Sequence, residues 1–366
     1  MKSFHIFLNL TKYCNYRCTY CYEKNQYKNN RLNLDNCRKI VLFINKLKNS
    51  DFYKSKNYDN IWLTFFGGEP TLNKIGIKFF TDTYKDDNTI FSIITNGSNE
   101  TVIRDCFKDV YKEKIENMSK VHIQISYDGN PVHDKTRLDI EGNPTSQIVK
   151  QTIKNLIKDN YNVTVKSTIT PDNFIYLYDA YHDVKSLFSD GAGNYFPTID
   201  YYTEYDVNYK IKDLKDSLIK ISAEELNYYK KHNKIFFNWF LNNNNKTCGA
   251  GQGMIAIDTD LSVYPCHGAF FENSDEHLIG NINDLNIINE INNRYELLNL
   301  NIDKSFCNLC SSSVCFKCNI VKYKNSKKRT YEEKWYDVNN QKYLCNYYIL
   351  ASKIKEATYA ILKGVN

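Results

Sequence analysis

Cys14, Cys18 and Cys21 lie in LTKYCNYRCTYCYEK as a C-x3-C-x2-C cluster, directly after the apolar stretch Phe4–Leu10. Iron–sulfur clusters are held by thiolates. Three thiolates this close can hold three irons of a [4Fe–4S] cube and leave the fourth iron without a protein ligand. An open coordination position is what separates a reactive metal centre from a closed structural one. Seven more cysteines follow: Cys248, Cys266, the quartet Cys307-x2-Cys310-x4-Cys315-x2-Cys318, and Cys345. Together the two sets point to redox chemistry on several clusters. The competing reading of the triplet is a zinc site or buried thiols, but zinc commonly takes four ligands. A zinc module is likewise the competing reading of the quartet.

Other residues fall where chemistry is expected. Gly67-Gly68-Glu69-Pro70 combines glycines that allow close backbone approach with a carboxylate able to accept from an ammonium group. Asn96, Ser126 (in Ser126-Tyr127-Asp128-Gly129, preceded by Gln124) and Arg137 (in HDKTR, with His133 and Asp134) stand after further strand-like runs. On an extended segment His133 and Asp134 would point apart, so they are not read as a catalytic pair. Arg137 either neutralises a carboxylate or forms a structural ion pair. Tyr20 and Tyr22 can flank a flat ring, though with 30 tyrosines in the chain they can equally be ordinary packing. His267, in Val-Tyr-Pro-Cys-His-Gly, offers an imidazole that is a base at neutral pH or a hydrogen-bond donor to a cluster sulfur. Cys37 and Cys106 lie in helical stretches and read as buried thiols.

The elements that must position these groups alternate. Strand-like runs are Phe4–Leu10, Ile61–Phe66, Thr89–Thr95, Val121–Tyr127, Asn162–Thr170 and Tyr195–Tyr202. Between them lie amphipathic helical stretches: Asp35–Leu47, Lys74–Tyr84, Glu100–Asn117, Ser146–Asp159, Phe174–Phe188 and Leu214–Trp239. Six β–α units in series predict an α/β fold on a parallel sheet, open or curved into a partial barrel. The cysteine triplet, Gly67–Pro70, Thr95–Gly97 and Ser126–Gly129 all fall at C-terminal strand ends, where such folds collect reacting groups. After the Asn run at 242–245 the chain turns loop-rich and cysteine-rich, then closes with a helix near Tyr347–Leu362. The expected division is 1–240, a linker 241–247, a cluster module 248–345 and a terminal helix 346–366.

The 366 residues, 25% charged and 42% hydrophobic, suit a globular protein with a sizeable core. No apolar run reaches membrane-spanning length and no signal peptide is evident, so a cytoplasmic location is expected. In that compartment twelve cysteines imply metal ligation rather than disulfides. The net charge of +6 is spread along the chain without a basic block, so nucleic acid is weakly signalled.

The triplet, with Tyr20 before its last cysteine, resembles the signature of radical S-adenosylmethionine (radical SAM) enzymes. The resemblance implies a partial (β/α)6 TIM-like barrel and an oxidoreductase acting on a peptide or protein. A reduced cube would cleave S-adenosylmethionine to a 5′-deoxyadenosyl radical that abstracts a substrate hydrogen. It also implies that Gly67, Gly68 and Glu69 hold the cofactor's amino group, that Ser126 and Asn96 contact the cofactor, and that Arg137 faces a carboxylate. The later cysteines resemble the SPASM auxiliary-cluster domain. By that resemblance Cys248, Cys266 and Cys318 hold one [4Fe–4S] cluster, and Cys307, Cys310, Cys315 and Cys345 another, giving three in all. Two departures stand out: Leu261 occupies a position usually glycine, and the quartet is one residue tighter in each of its last two gaps. At the position of His267 the anaerobic sulfatase maturases carry an aspartate, whereas histidine resembles the maturases of ribosomally made peptides. The expected function is a peptide maturase that installs a thioether or carbon–carbon crosslink. Its expected partners are a precursor peptide, a separate leader-binding protein (the first strand begins almost at Met1) and a flavodoxin or ferredoxin reductant. Formylglycine formation is the rival within the class, and a zinc-ribbon nucleic-acid-binding protein is the rival outside it.

Overall fold

The computed structural model describes residues 1–21, 23, 30–189, 193–199, 210–237, 253–270, 277–302 and 342–362. Six strands run parallel in chain order: β1 (Ser3–Thr11), β2 (Asn60–Gly67), β3 (Ile90–Thr95), then, beyond the small pair β4 (Lys114–Ile115) and β5 (Met118–Ser119), β6 (Val121–Ser126), β7 (Val163–Ile169) and β8 (Tyr195–Ile199). Each is rich in β-branched and aromatic residues, which suit a pleated, buried surface. Helices Leu34–Asn49, Lys74–Tyr84, Glu100–Phe107, Ser146–Lys158, Leu177–Lys185 and Ile211–His232 occupy the crossovers or follow the last strand. Asparagine caps several of them: Asn33, Asn73 and Asn99 accept from the backbone N–H groups of Asn36, Gly76 and Val102.

Alternation along the strands divides the sheet into two faces. Phe4, Ile6, Leu8 and Leu10 of β1, Val121, Ile123 and Ile125 of β6, and Val163, Val165 and Ile169 of β7 enter the main core with the helices. Phe7, Phe66, Gln124, Ser126, Lys166 and Thr168 therefore share the opposite, open face.

Three departures from the sequence expectation have physical causes. The helix begun at Glu100 ends at Phe107, because beyond Val110 the apolar period lapses; a hairpin turns at Glu116, whose φ is 55°. The helix Ile211–His232 stops where Asn233 adopts the left-handed conformation (φ 52°), its N–H donating to Tyr229 O at 2.8 Å. The following Phe236 and Phe237 donate their N–H groups to Glu225, and Phe237 bridges to Tyr195 of β8. Third, the chain after the Asn run returns to the main sheet. β9 (Met254–Ile257) pairs parallel with β1, and β10 (Ser262–Tyr264) and β11 (Gly280–Asn281) extend it antiparallel, giving nine strands in the order β11-β10-β9-β1-β2-β3-β6-β7-β8. Leu261 in the β9–β10 turn has φ 73°, so the site where glycine is usual keeps a glycine-like backbone while the leucine side chain is buried. The linker 241–247 lies outside the described residues.

Candidate functional site

The cysteine loop leaves the C-terminal end of β1 and is clamped from two sides. On one side the turn after β2 docks by backbone: Gly68 N–H donates to Thr11 O (2.8 Å) and Glu69 N–H to Tyr13 O (2.9 Å). A Cβ on Gly68 would sit 2.4 Å from Tyr13 O, and one on Gly67 2.3 Å from Thr11 O. Both glycines are thus needed for close approach, and the backbone they approach is that of the cysteine loop. Gly68→Ala is expected to cost about 1–3 kcal/mol through overpacking and to lower iron uptake. Thermal melting and iron per chain after anaerobic reconstitution check this; wild-type values for both would show that the loop tolerates separation.

Glu69 is fully buried. Its Oε1 accepts from Thr71 N–H (3.1 Å), Thr71 Oγ1 (2.6 Å) and Thr95 Oγ1 (2.7 Å), and its Oε2 from Asn96 N–H (2.7 Å). Burial pushes the carboxyl up, against the hydrogen bonds that favour its charged form. Oε2 retains acceptor capacity for one further donor. Asn96 also reaches into the loop, its Nδ2 donating to Asn15 Oδ1 at 2.8 Å and lying 4.0 Å from Cys14 Sγ.

The second clamp is the segment after β6. Thr19 N–H donates to Thr136 O (2.9 Å) and Arg17 N–H to Leu138 O (2.8 Å). At its centre Asp128 is a buried hub. Its Oδ2 accepts from Arg137 Nε (3.0 Å), Thr136 Oγ1 (2.8 Å) and the Tyr20 hydroxyl, and its Oδ1 from Thr168 N–H (3.0 Å). Arg137 Nη1 reaches Cys18 Sγ at 3.9 Å, and the guanidinium lies over the Tyr20 ring at 5.2 Å. Arg137 and Tyr20 therefore hold the loop. The HDKTR segment is one helical turn, His133–Thr136, rather than extended, yet its side chains do diverge. His133 Nδ1 accepts from Asp128 N–H, while Asp134 accepts from Thr145 and Ser146 at the start of the next helix.

Cys14 is buried and Cys18 and Cys21 partly so. Burial pushes the Cys14 thiol up, with Glu69 adding; Cys18 is pushed up to about 11 by burial, opposed by Arg137. Such thiols favour thiolate only when a cation takes the charge, which is what a metal cluster supplies. Among the described residues no three His, Cys, Asp or Glu side chains converge on a single ion. A cube sets each thiolate on a different iron, so it does not need that convergence. The donor set fits an iron–sulfur cluster.

On the open face several buried polar atoms have no hydrogen-bond partner among the described residues, including Gln124 Nε2, Thr198 Oγ1 and His267 Nδ1. Orphaned polar groups of this kind call for a ligand or water. Cys266 is buried, and His267 opens the helical turn His267–Phe270. The imidazole stacks on Phe7 (centroids 4.5 Å apart) and leans on Phe66 (5.2 Å). Burial, with Lys166 adding, pushes it down to about 3, so it is neutral at physiological pH. Lys166, which sequence reasoning passed over as strand, is the one charged residue in Val163–Ile169; alternation alone would have placed it on the open face. Cys37 and Cys106 are buried thiols, as expected. Tyr22, Cys248, Cys307, Cys310, Cys315 and Cys318 lie outside the described residues. Cys345 falls within the last helix, Lys342–Leu362.

No protein-family model matches the chain. It is 28% identical over 346 residues to a cysteine-type anaerobic sulfatase-maturating enzyme of Clostridium novyi, covering 84% of this chain and 82% of that one. It is 24% identical to the radical SAM cyclopropyl synthase TigE of Paramaledivibacter caminithermalis, covering 84% of this chain and 64% of TigE. Among solved structures, native anSMEcpe with bound AdoMet and Cp18Cys peptide superposes with a TM-score of 0.72 at 18% identity, covering 100% of each chain. Streptococcus suis SuiB bound to precursor peptide SuiA gives 0.56 at 14%, covering 93% of this chain and 76% of SuiB. By sequence the chain is a homologue of the sulfatase-maturating enzyme and of the radical SAM synthase TigE, and it shares the fold of these solved structures. No helix among the described residues is long and apolar enough to cross a membrane.

Proposed function

We propose that this chain is a radical SAM enzyme that modifies a peptide or protein. The observation that carries the reading is the double clamp on the cysteine loop, by Gly68–Glu69 on one side and the Asp128–Arg137 pair on the other. Cys14, Cys18 and Cys21 would hold a [4Fe–4S] cluster, and Glu69 would hold S-adenosylmethionine beside it. When bound, these groups would supply one-electron chemistry and hydrogen-atom abstraction from substrate. The chain's own residues orient and shield. The free lone pair on Glu69 Oε2 suits the cofactor's ammonium, Ser126 and Asn96 line the same rim, and the Phe7–Phe66–His267 stack excludes water from the open face. A curled sheet, the partial barrel, is part of this reading: Trp62 of β2 and His122 of β6 stand two strands apart in the sheet, yet their ring centroids lie 4.8 Å from each other on the open face.

The substrate reading is a ribosomally made peptide receiving a thioether or carbon–carbon crosslink, with Cys266 and the later cysteines holding two auxiliary clusters. Formylglycine formation is the second reading, favoured by the 28% identity to the Clostridium novyi enzyme. Anaerobic reconstitution with iron and sulfide, then dithionite and S-adenosylmethionine, is expected to give broad visible absorption and 5′-deoxyadenosine. A purified protein that holds zinc and yields neither would overturn the reading. Incubation with a short peptide encoded beside the gene and with a cysteine-type sulfatase peptide separates the two products. Crosslinking removes two hydrogens from its peptide and gives no aldehyde; formylglycine reacts with a hydrazide probe.

A further inference from the structure

The residue that the sequence nominates for a carboxylate, Arg137, is committed elsewhere: to Asp128 at 3.0 Å, to Cys18 Sγ at 3.9 Å and to the face of Tyr20. The methionine end of S-adenosylmethionine carries a carboxylate as well as an ammonium, and Glu69 answers only the ammonium. Lys166 stands where the missing cation is needed. It is the register partner of Ser126 across β6 and β7, so the two side chains share the open face one strand spacing apart, about 4.8 Å. Asp128, two residues beyond Ser126, ties the same edge to the cysteine loop. Among the described residues neither the Ser126 hydroxyl nor the Lys166 ammonium has a hydrogen-bond or ion-pair partner. A partly buried ammonium without a partner is costly. Burial and then Arg137 hold Lys166 down to about 8, a shift that a bound anion would reverse.

We propose that Lys166, with Ser126 beside it, binds the carboxylate of the methionine moiety of S-adenosylmethionine. This rests on the cofactor reading above. The test uses the reconstituted holoenzyme without reductant and compares equilibrium binding of S-adenosylmethionine with that of its decarboxylated analogue. Wild type favours the carboxylated ligand. Lys166→Gln loses roughly 10- to 100-fold in affinity for it, as expected for a hydrogen bond between charged groups, and little for the analogue. Lys166→Arg keeps most of the preference. The proposal is overturned if Lys166→Gln retains the wild-type preference, since another group then holds the carboxylate. It is overturned equally if both ligands weaken together while cluster absorption is unchanged. A wild-type holoenzyme that binds neither ligand would instead sink the cofactor reading.

Discussion

Replacing any one of Cys14, Cys18 or Cys21 by alanine is expected to abolish 5′-deoxyadenosine formation while leaving a folded chain. Changing a residue that merely supports a metal ligand costs about 10- to 100-fold. Removing a ligand outright leaves one iron of the cube without its thiolate, so the expected loss is on the order of a thousand-fold or more. The fold should survive because the loop is held by contacts that do not use sulfur: Gly68 and Glu69 N–H to Thr11 and Tyr13, Thr19 and Arg17 N–H to Thr136 and Leu138. Circular dichroism checks the fold, and anaerobic turnover with iron analysis checks the loss. Activity above a tenth of wild type in any of the three variants would show that the triplet is not the cofactor's cluster site.

Asp128→Ala is expected to be the most destabilising single change at the rim. It removes the partner of a guanidinium that is only 8% exposed, and breaking a buried pair from one side costs about 3–5 kcal/mol. Tyr20, Thr136 and Thr168 lose an acceptor at the same time. Burial raises the Asp128 carboxyl, but Arg137, His133 and the Tyr20 hydroxyl bring it below its ordinary value. Its stabilisation is therefore complete above the unfolded value, about 3.9, and is lost as pH falls through the lower folded one. Urea unfolding at neutral pH should show the full deficit in Asp128→Ala, narrowing as the medium is acidified below pH ~4. A deficit that does not change with pH would assign the cost to packing instead.

Much of this was legible from local pattern. The six parallel strands announced themselves because each is a short run of β-branched and aromatic residues, and the motifs fell at their C-terminal ends for the same topological reason. The cysteine triplet and Gly67–Glu69 were legible as a pair because each is short and chemically unusual. What stayed hidden was non-local. Nothing near Met254–Ile257 says that it will lie beside a strand some 250 residues earlier, and the Asn run suggested a break instead of a return. Arg137 and Asp128 were both noticed, but only folding reveals that they spend their charges on each other. Lys166 was overlooked because a lysine inside a strand looks like a solvent-facing residue until the neighbouring strands bury it and set it beside Ser126.

The return of the chain to β1 has an evolutionary corollary. β1 carries the cysteine loop at its end and accepts β9 along its flank, so the strands leading to Cys266 and His267 are a selvedge woven onto the half that bears the cysteine triplet. Without it, β1 would present an unpaired strand edge, the surface that natural sheets take care to cover. A lineage could not trade the Cys266 hairpin without also rewriting the first strand. Diversification on this scaffold is therefore expected to proceed by residue change on the open face rather than by exchange of that hairpin.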